Sequence, residues 1–134
     1  MIKPRVLIIE NYEPMQYVLR RIVEVDCAVV GVMADGHSAL DAAERLLPDL
    51  ILLDVSLPSL GGFALARQLR GRMPGVQLVF VTAHEEPAYV QEAFDCGAKA
   101  YVLKKRVAIE CVEAIRQVRA GHLFKSRNLA DPRE

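Results

Sequence analysis

The sequence lacks several features that would place it in a specialised class of protein. It has no tryptophan, only 6% aromatic residues and 3 cysteines in 134 residues. The cysteines are Cys27, Cys96 and Cys111. An odd number of widely spaced cysteines excludes a disulfide framework and indicates thiols in a reducing compartment. The three histidines show no ligand spacing with one another or with the cysteines, so a zinc site is not expected.

The chain also lacks an excess of charge and a long apolar run. Its 17 basic and 17 acidic residues give a net charge of +0, which argues against direct binding of nucleic acid by this chain. No run is long enough to span a membrane, and the apolar N-terminal segment ends at Glu10 without the cleavage site of a signal peptide. We therefore expect a single cytoplasmic domain that binds neither membrane nor nucleic acid.

Apolar runs alternate along the chain with amphipathic stretches of period near 3.6, so strands and helices are predicted in strict alternation. The predicted strands are Arg5–Ile9, Ala28–Met33, Leu50–Asp54, Val76–Val81 and Ala100–Leu103. The predicted helices are Tyr12–Val25, His37–Leu46, Leu60–Arg70, Pro87–Phe94 and Val107–Ala120. Such alternation is typical of a doubly wound α/β fold, a parallel sheet with right-handed crossovers. The polar, non-periodic residues 122–134 are interpreted as a tail or the start of a linker, after a domain over residues 1–121.

Polar side chains follow four of the predicted strands, where each apolar run stops. Asp54 ends the third strand, Glu10 and Asn11 follow the first, Thr82 follows the fourth and Lys104 the fifth. Taken alone, a strand-end aspartate such as Asp54 is more often a loop acid that caps the next helix. Because the carboxyl ends of parallel strands meet at one edge, these groups are expected to converge. Carboxylate, amide, hydroxyl and ammonium groups together suit Mg²⁺ and a phosphoryl group.

From about Arg5 to Ala120 the chain resembles the response-regulator receiver domains of two-component signalling. Asp54 matches the aspartate that accepts a phosphoryl group in that family, and Lys104 matches its lysine. Thr82 matches the hydroxyl residue and Tyr101 an aromatic switch residue, although a tyrosine that simply packs in the core fits the same pattern. The resemblance implies a flavodoxin-like (βα)5 fold with a five-stranded parallel sheet in the order 2-1-3-4-5.

The same resemblance implies the chemistry and the partners. Mg²⁺ would lie at Glu10, Asn11, Asp54 and the carbonyl of Ser56, and the phosphoryl donor would be a sensor histidine kinase or a phosphotransfer protein. The protein would not be an enzyme beyond its own phosphorylation and slow autodephosphorylation. Phosphorylation would change the surface of the fourth helix, fifth strand and fifth helix. The last helix resembles receivers of the NarL/FixJ type, which usually precede a DNA-binding output domain; a stand-alone receiver, a following output domain and a homodimer all stay open.

One position departs from the family. The first strand is normally followed by two acidic residues, whereas this chain has Glu10 and Asn11, so weaker binding of Mg²⁺ is expected. The alternative function is a degenerate receiver that is not phosphorylated and acts as a protein-docking module. Ser56 stands where a dehalogenase-type phosphatase needs a second aspartate, which argues against that class. His84 and Ser56 are predicted to flank the path of the hydrolytic water, with His84 either shielding the phosphoryl group, orienting that water or projecting into solvent.

Overall fold

The computed structural model describes residues 2–129, which contain six strands, five α-helices and one short 3₁₀ turn. The strands are β1 (Arg5–Ile9), β2 (Ala28–Met33), β3 (Leu50–Leu53), β4 (Gln77–Thr82), β5 (Ala100–Leu103) and β6 (Phe124–Lys125). The helices are α1 (Glu13–Val23), α2 (Gly36–Leu46), α3 (Gly62–Arg72), α4 (Pro87–Asp95) and α5 (Val107–Arg119). The 3₁₀ turn covers Lys104–Arg106 and lies between β5 and α5. None of the helices described is long and apolar enough to cross a membrane.

The strands form one parallel sheet in the order β2-β1-β3-β4-β5-β6. All four residues of β3 are buried, because this central strand has side chains in the core on both faces of the sheet. The sheet has a hydrophobic core on each face, and alternate residues of β3 point into one or the other. Leu53 packs with residues of α2, α3 and α4, while Leu52 packs with residues of α1 and α5. The doubly wound parallel sheet expected from the sequence is therefore confirmed.

The predicted count of five strands is wrong, because β6 adds a sixth strand along the outer edge of β5. Phe124 pairs with Ala100, and Lys125 pairs with Tyr101. The strand forms because Phe124 packs against the core beside α5 and its backbone N–H donates to the carbonyl of Lys99 at 3.0 Å. Two residues are too few to show a period, so the sequence carried no signal for this strand.

This strand lies within residues 122–134, for which the sequence predicts a tail or the start of a linker. The part up to residue 129 is held against the domain, and residues 130–134 lie outside the described residues. The division of the chain at residue 121 stays a prediction, although the segment just after it completes the sheet.

The start of α3 also differs from the prediction, since the helix begins at Gly62 and not at Leu60. Ser59 has a positive φ of 65°, and the N–H of Gly62 donates to the carbonyl of Val55 at 2.9 Å. A Cβ atom on Gly62 would lie 2.0 Å from the carbonyl oxygen of Asp54. The residues before Gly62 are therefore in a tight loop that returns to the end of β3, and they cannot continue the helix.

Candidate functional site

The structure brings the predicted site residues together at the carboxyl edge of the sheet. Glu10 directly follows β1, Asp54 follows β3, Thr82 ends β4 and Lys104 follows β5. Because β1, β3, β4 and β5 are consecutive and parallel in the sheet, their ends share one edge. Glu10, Asp54 and Thr82 are almost completely buried, with exposed fractions of 1%, 4% and 0%. Burial of two carboxylates requires a compensating charge or proton.

Lys104 supplies that charge. Its Nζ atom lies 2.8 Å from Glu10 Oε1 and 2.8 Å from Asp54 Oδ2. Burial by itself would lower the pKa of the Lys104 ammonium, but its contacts with Asp54 and Glu10 outweigh burial and hold the pKa above its usual value. Lys104 therefore carries its charge at neutral pH and joins the two strand-end carboxylates in one ionic cluster.

Glu10 has one carboxylate oxygen that is not fully satisfied. Its Oε2 accepts a hydrogen bond from the backbone N–H of Tyr12 at 3.0 Å, and its own N–H donates to the carbonyl of Met33 at 2.9 Å. Its Oε1 is buried and, within the described part of the chain, receives no hydrogen bond. The 2.8 Å approach of Lys104 to this atom meets the distance of an ion pair but lacks hydrogen-bond geometry. A buried anionic oxygen with free lone pairs is a suitable ligand for a cation.

The oxygen donors that follow β1 and β3 are of the types that a magnesium ion prefers. Glu10 and Asp54 offer carboxylates, and the loop residues Asn11 and Ser56 after them carry an amide oxygen and a backbone carbonyl. Among residues 2–129 no group of three or more His, Cys, Asp or Glu side chains could hold a metal ion, so the remaining ligands would have to be neutral oxygens or water. The donor set thus suits Mg²⁺, which keeps several waters, better than a metal that needs an all-protein cage.

Replacing Asn11 with aspartate is expected to tighten Mg²⁺ binding by up to about tenfold, on the order of 1 kcal/mol, since it adds a charge in a partly solvated position. Isothermal titration calorimetry of both proteins with Mg²⁺ measures the difference. Asp41, exposed on α2 away from the strand ends, provides the matched comparison, because Asp41→Asn changes a charge outside the site. Equal or weaker binding by Asn11→Asp would mean that Glu10 already supplies the charge that the ion requires.

Ser56 and His84 follow the ends of β3 and β4, and their side chains are in direct contact. The Ser56 hydroxyl oxygen lies 2.9 Å from His84 Nε2, and the tautomer of the imidazole decides which group donates the hydrogen bond. His84 Nδ1 lies 3.4 Å from a carboxylate oxygen of Glu86, and the ring packs edge-on against Tyr89 with centroids 4.6 Å apart. His84 therefore does not simply project into solvent. Its ring is held over the loop that carries Ser56.

Tyr101 is completely buried and is linked to the same loop. Its hydroxyl donates a hydrogen bond of 2.8 Å to the backbone carbonyl of His84. Burial raises the pKa of this phenol far above its usual value, with smaller contributions from the negative charges of Glu86 and Asp54. The ring therefore occupies an inward position as a neutral hydrogen-bond donor. The role of Tyr101 as a switch stays a prediction.

Comparison with known families identifies the kind of domain. Residues 6–116 match the family model of the response regulator receiver domain. The chain is 33% identical over 128 residues to response regulator GacA of Pseudomonas viridiflava, a match that covers 94% of this chain and 60% of that protein. It is 31% identical to the transcriptional regulatory protein DegU of Brevibacillus brevis, covering 91% of this chain and 52% of DegU. The chain thus spans little more than half the length of these two relatives.

A shorter relative and two solved structures match over almost their whole length. Protein CcdB of Bacillus subtilis is 30% identical over 119 residues, which cover 88% of this chain and 98% of CcdB. The crystal structure of a two-component response regulator of the LuxR family from Aurantimonas has a TM-score of 0.91 and 28% identity, covering 97% of this chain and 94% of that one. The isolated receiver domain of RcsB from Salmonella enterica, solved with the phosphomimetic BeF3⁻, has a TM-score of 0.90 and 18% identity. The match covers 97% of this chain and 98% of that one and shows that the two share a fold.

Proposed function

The chain belongs to the family of response regulator receiver domains, and from this premise we propose that Asp54 accepts a phosphoryl group and that phosphorylation switches the surface of α4, β5 and α5. The domain is a receiver of two-component signalling, and receivers of this family typically bind Mg²⁺. The observation that carries the proposal is the ionic cluster in which Lys104 joins the buried carboxylates of Asp54 and Glu10.

The proposed reaction is a transfer between two side chains. A carboxylate oxygen of Asp54 attacks the phosphorus atom of a phosphohistidine on the donor, the new O–P bond forms and the N–P bond breaks, and the electron pair leaves with the imidazole nitrogen. Lys104 lies 2.8 Å from Asp54 and is placed to offset the negative charge of the phosphoryl oxygens. Mg²⁺ bound at Glu10, Asn11, Asp54 and the Ser56 carbonyl would supply further positive charge to the same oxygens.

Thr82 and Tyr101 would carry the signal away from Asp54. The Thr82 hydroxyl, at the end of the neighbouring strand, is a donor for a new phosphoryl oxygen and at present accepts a long hydrogen bond of 3.4 Å from the N–H of His84. A shift of Thr82 would therefore move the His84 backbone, whose carbonyl accepts the hydrogen bond of Tyr101. Contacts of a phosphoryl dianion with Lys104 and Thr82 can supply several kcal/mol of interaction free energy. That is enough to change the ratio of the inactive and active conformations substantially.

The donor and the downstream partner follow from the family. We infer that a sensor histidine kinase or a phosphotransfer protein supplies the phosphoryl group. The greater length of GacA and DegU supports a further output domain, whereas the match over almost all of CcdB supports a separate output protein. No substrate turnover is proposed beyond phosphorylation of the domain itself and slow autodephosphorylation. A cytoplasmic location suits a domain of this kind.

Binding of a phosphoryl mimic tests this function against the docking-module alternative. We expect beryllofluoride to bind the protein only when Mg²⁺ is present and to shift the NMR signals of Thr82, Tyr101 and Lys104. The same titration with EDTA in place of Mg²⁺ is the control. A docking module that has lost its chemistry would show no Mg²⁺-dependent shifts.

His84 is expected to prolong the phosphorylated state. Its ring is held by Ser56, Glu86 and Tyr89 at the mouth of the site, where it would hinder the approach of a hydrolytic water. His84→Ala should therefore shorten the lifetime of the phosphorylated protein several-fold, measured as decay of the phosphorylated mass after removal of the donor. His122→Ala, at an exposed position after α5, is the control. A longer lifetime in His84→Ala would show that the imidazole orients the water instead.

A further inference from the structure

A buried polar cluster joins the C-terminal segment to the end of β5. Ser126, only 2% exposed, accepts a hydrogen bond at its hydroxyl oxygen from the backbone N–H of Leu103 at 2.8 Å. The same hydroxyl donates to Glu110 Oε1 at 2.5 Å, and Glu110 Oε2 accepts from the N–H of Arg127 at 3.0 Å and from Arg106 Nε at 2.8 Å. We call Ser126, Glu110 and Arg106 the clasp.

The clasp holds the backbone on both sides of Lys104. Leu103, whose N–H binds Ser126, directly precedes Lys104 in the chain. Lys104 opens the 3₁₀ turn Lys104–Arg106, and Arg106 at the other end of that turn pairs with Glu110. The ammonium of Lys104 reaches the ionic cluster, so one three-residue turn connects the clasp to Asp54.

The hydrogen bonds of β6 reach the proposed switch strand as well. The N–H of Ser126 donates to the carbonyl of Tyr101 at 2.9 Å, and Lys125 is the register partner of Tyr101. Ser126 thus forms hydrogen bonds with the backbone of β5 at two residues, Tyr101 and Leu103, which lie just before Lys104. A change in the position of β5 or of the turn would alter these contacts directly.

Glu110 is the residue of α5 to which the C-terminal segment is attached. The residue is 7% exposed, and its carboxylate accepts three hydrogen bonds, from Ser126, Arg106 and the N–H of Arg127. Burial would raise its pKa, but the hydrogen bonds from Ser126, the Arg127 N–H and Arg106 outweigh burial and hold the pKa below its usual value. Removal of one partner would leave a buried polar group unsatisfied, so loss of the clasp is expected to release the segment.

We propose that the C-terminal segment 124–127 is a positioning element for Lys104, held by the clasp, and that docking of this segment and occupation of the phosphoryl site favour one another. The second half, and the test by phosphorylation rate below, rest on the proposed function, whereas the positioning role itself does not. A docked segment fixes the backbone of Lys104 where its ammonium meets Asp54. By reciprocity of coupled equilibria, a phosphoryl group that holds Lys104 in place strengthens docking by the same factor. A chain segment that follows the receiver would then sense its phosphorylation state through β6.

Substitutions in the clasp test the positioning role. Ser126→Ala and Glu110→Gln should each slow phosphorylation by a small-molecule phosphodonor by about fivefold, in the range of typical coupling between sites. Glu113 lies on the exposed side of α5 and accepts a hydrogen bond from Gln117, so Glu113→Gln is the control for Glu110→Gln. His122→Ala, at an exposed position before β6 and outside the segment 124–127, is the control for Ser126→Ala. Rates within twofold of wild type for both clasp variants, or an equal loss in the controls, would overturn the proposal.

Hydrogen exchange of the unmodified protein tests the coupling without relying on any variant. Beryllofluoride with Mg²⁺ should slow exchange of the amides of Leu103, Ser126 and Arg127 by about fivefold, whereas the amide of Asp49, bonded to Arg5 at the other end of the sheet, should change less. Unchanged or faster exchange of the Leu103, Ser126 and Arg127 amides in a protein that binds beryllofluoride would overturn the coupling and leave the phosphoryl site intact.

A third measurement separates failure of the inference from failure of the proposed function. Lys104→Met should speed exchange of the Ser126 and Arg127 amides in the absence of any phosphoryl mimic, because the turn loses its attachment to Glu10 and Asp54. Lys105→Met is the matched control, since Lys105 is exposed and pairs with Glu85. If beryllofluoride fails to bind yet Lys104→Met loosens the clasp, the proposed function is wrong and the positioning role stands. Equal exchange in wild type and Lys104→Met would overturn the positioning role.

Discussion

Asp54→Asn should remove the mass gain of one phosphoryl group that the wild-type protein shows after incubation with a small acyl phosphate and Mg²⁺. The amide of asparagine is a poor nucleophile, and no other carboxylate at the strand ends has the position of Asp54. Glu10 lies in the same cluster, but its side chain is 1% exposed against 6% for Asp54, so it offers less surface to a phosphoryl donor. Intact-mass spectrometry at several times measures the loss.

The Asp54→Asn protein is expected to remain folded, so the loss can be assigned to chemistry. The substitution keeps the size of the side chain, and Lys104 retains its contact with Glu10 at 2.8 Å. Asp41→Asn, on the exposed part of α2, should be labelled like the wild type. Labelling of Asp54→Asn to the wild-type extent would contradict the assignment.

Gly62→Ala should destabilise the protein by about 3 kcal/mol, at the upper end of what overpacking usually costs. The added Cβ would lie 2.0 Å from the carbonyl oxygen of Asp54 and 2.8 Å from Val55 Cα, both backbone atoms that cannot move without shifting the end of β3. The same shift would displace Asp54, so phosphorylation should slow as well. Urea denaturation of wild type and variant gives the difference in the free energy of unfolding.

Gly71→Ala is the control for this prediction, because it adds the same methyl group to the same helix. A Cβ on Gly71 meets nothing within 4 Å, and alanine is the better helix former. Its stability should therefore equal or slightly exceed that of the wild type. A loss below about 1 kcal/mol for Gly62→Ala, on the scale of ordinary single substitutions, would show that the loop after β3 relaxes freely.

Much of the fold follows from hydrophobic periodicity, because central parallel strands are buried on both faces and read as unbroken apolar runs. Leu50–Leu53 is such a run, and its burial on both faces is what the sequence predicts. β6 could not be predicted, because its two residues form a strand only by pairing with the edge of β5. The hydrogen bond between Ser126 and Leu103 then holds the segment in place. The start of α3 was misplaced because its position depends on a close approach between Gly62 and the backbone of Asp54, a tertiary contact.

The main residues of the candidate site could be predicted from the same pattern of strands, but their contacts could not. Strand ends locate Asp54, Glu10 and Lys104 from sequence, since a buried strand that ends in a polar residue puts that residue at a known edge. The hydrogen bond between Ser56 and His84 was not predictable, because the two residues are 28 positions apart and lie on separate loops. The inward position of Tyr101 likewise depends on the His84 carbonyl, which no pattern of residue types reveals.

Localisation of the phosphoryl group tests the central claim most directly. Wild-type protein phosphorylated with Mg²⁺ and a small acyl phosphate is reduced with borohydride, which converts an aspartyl phosphate to homoserine, and then digested and sequenced by mass spectrometry. We predict that the modified residue is Asp54 and that omission of Mg²⁺ prevents the modification. Modification at another residue, or none under conditions in which beryllofluoride binds, would contradict the account.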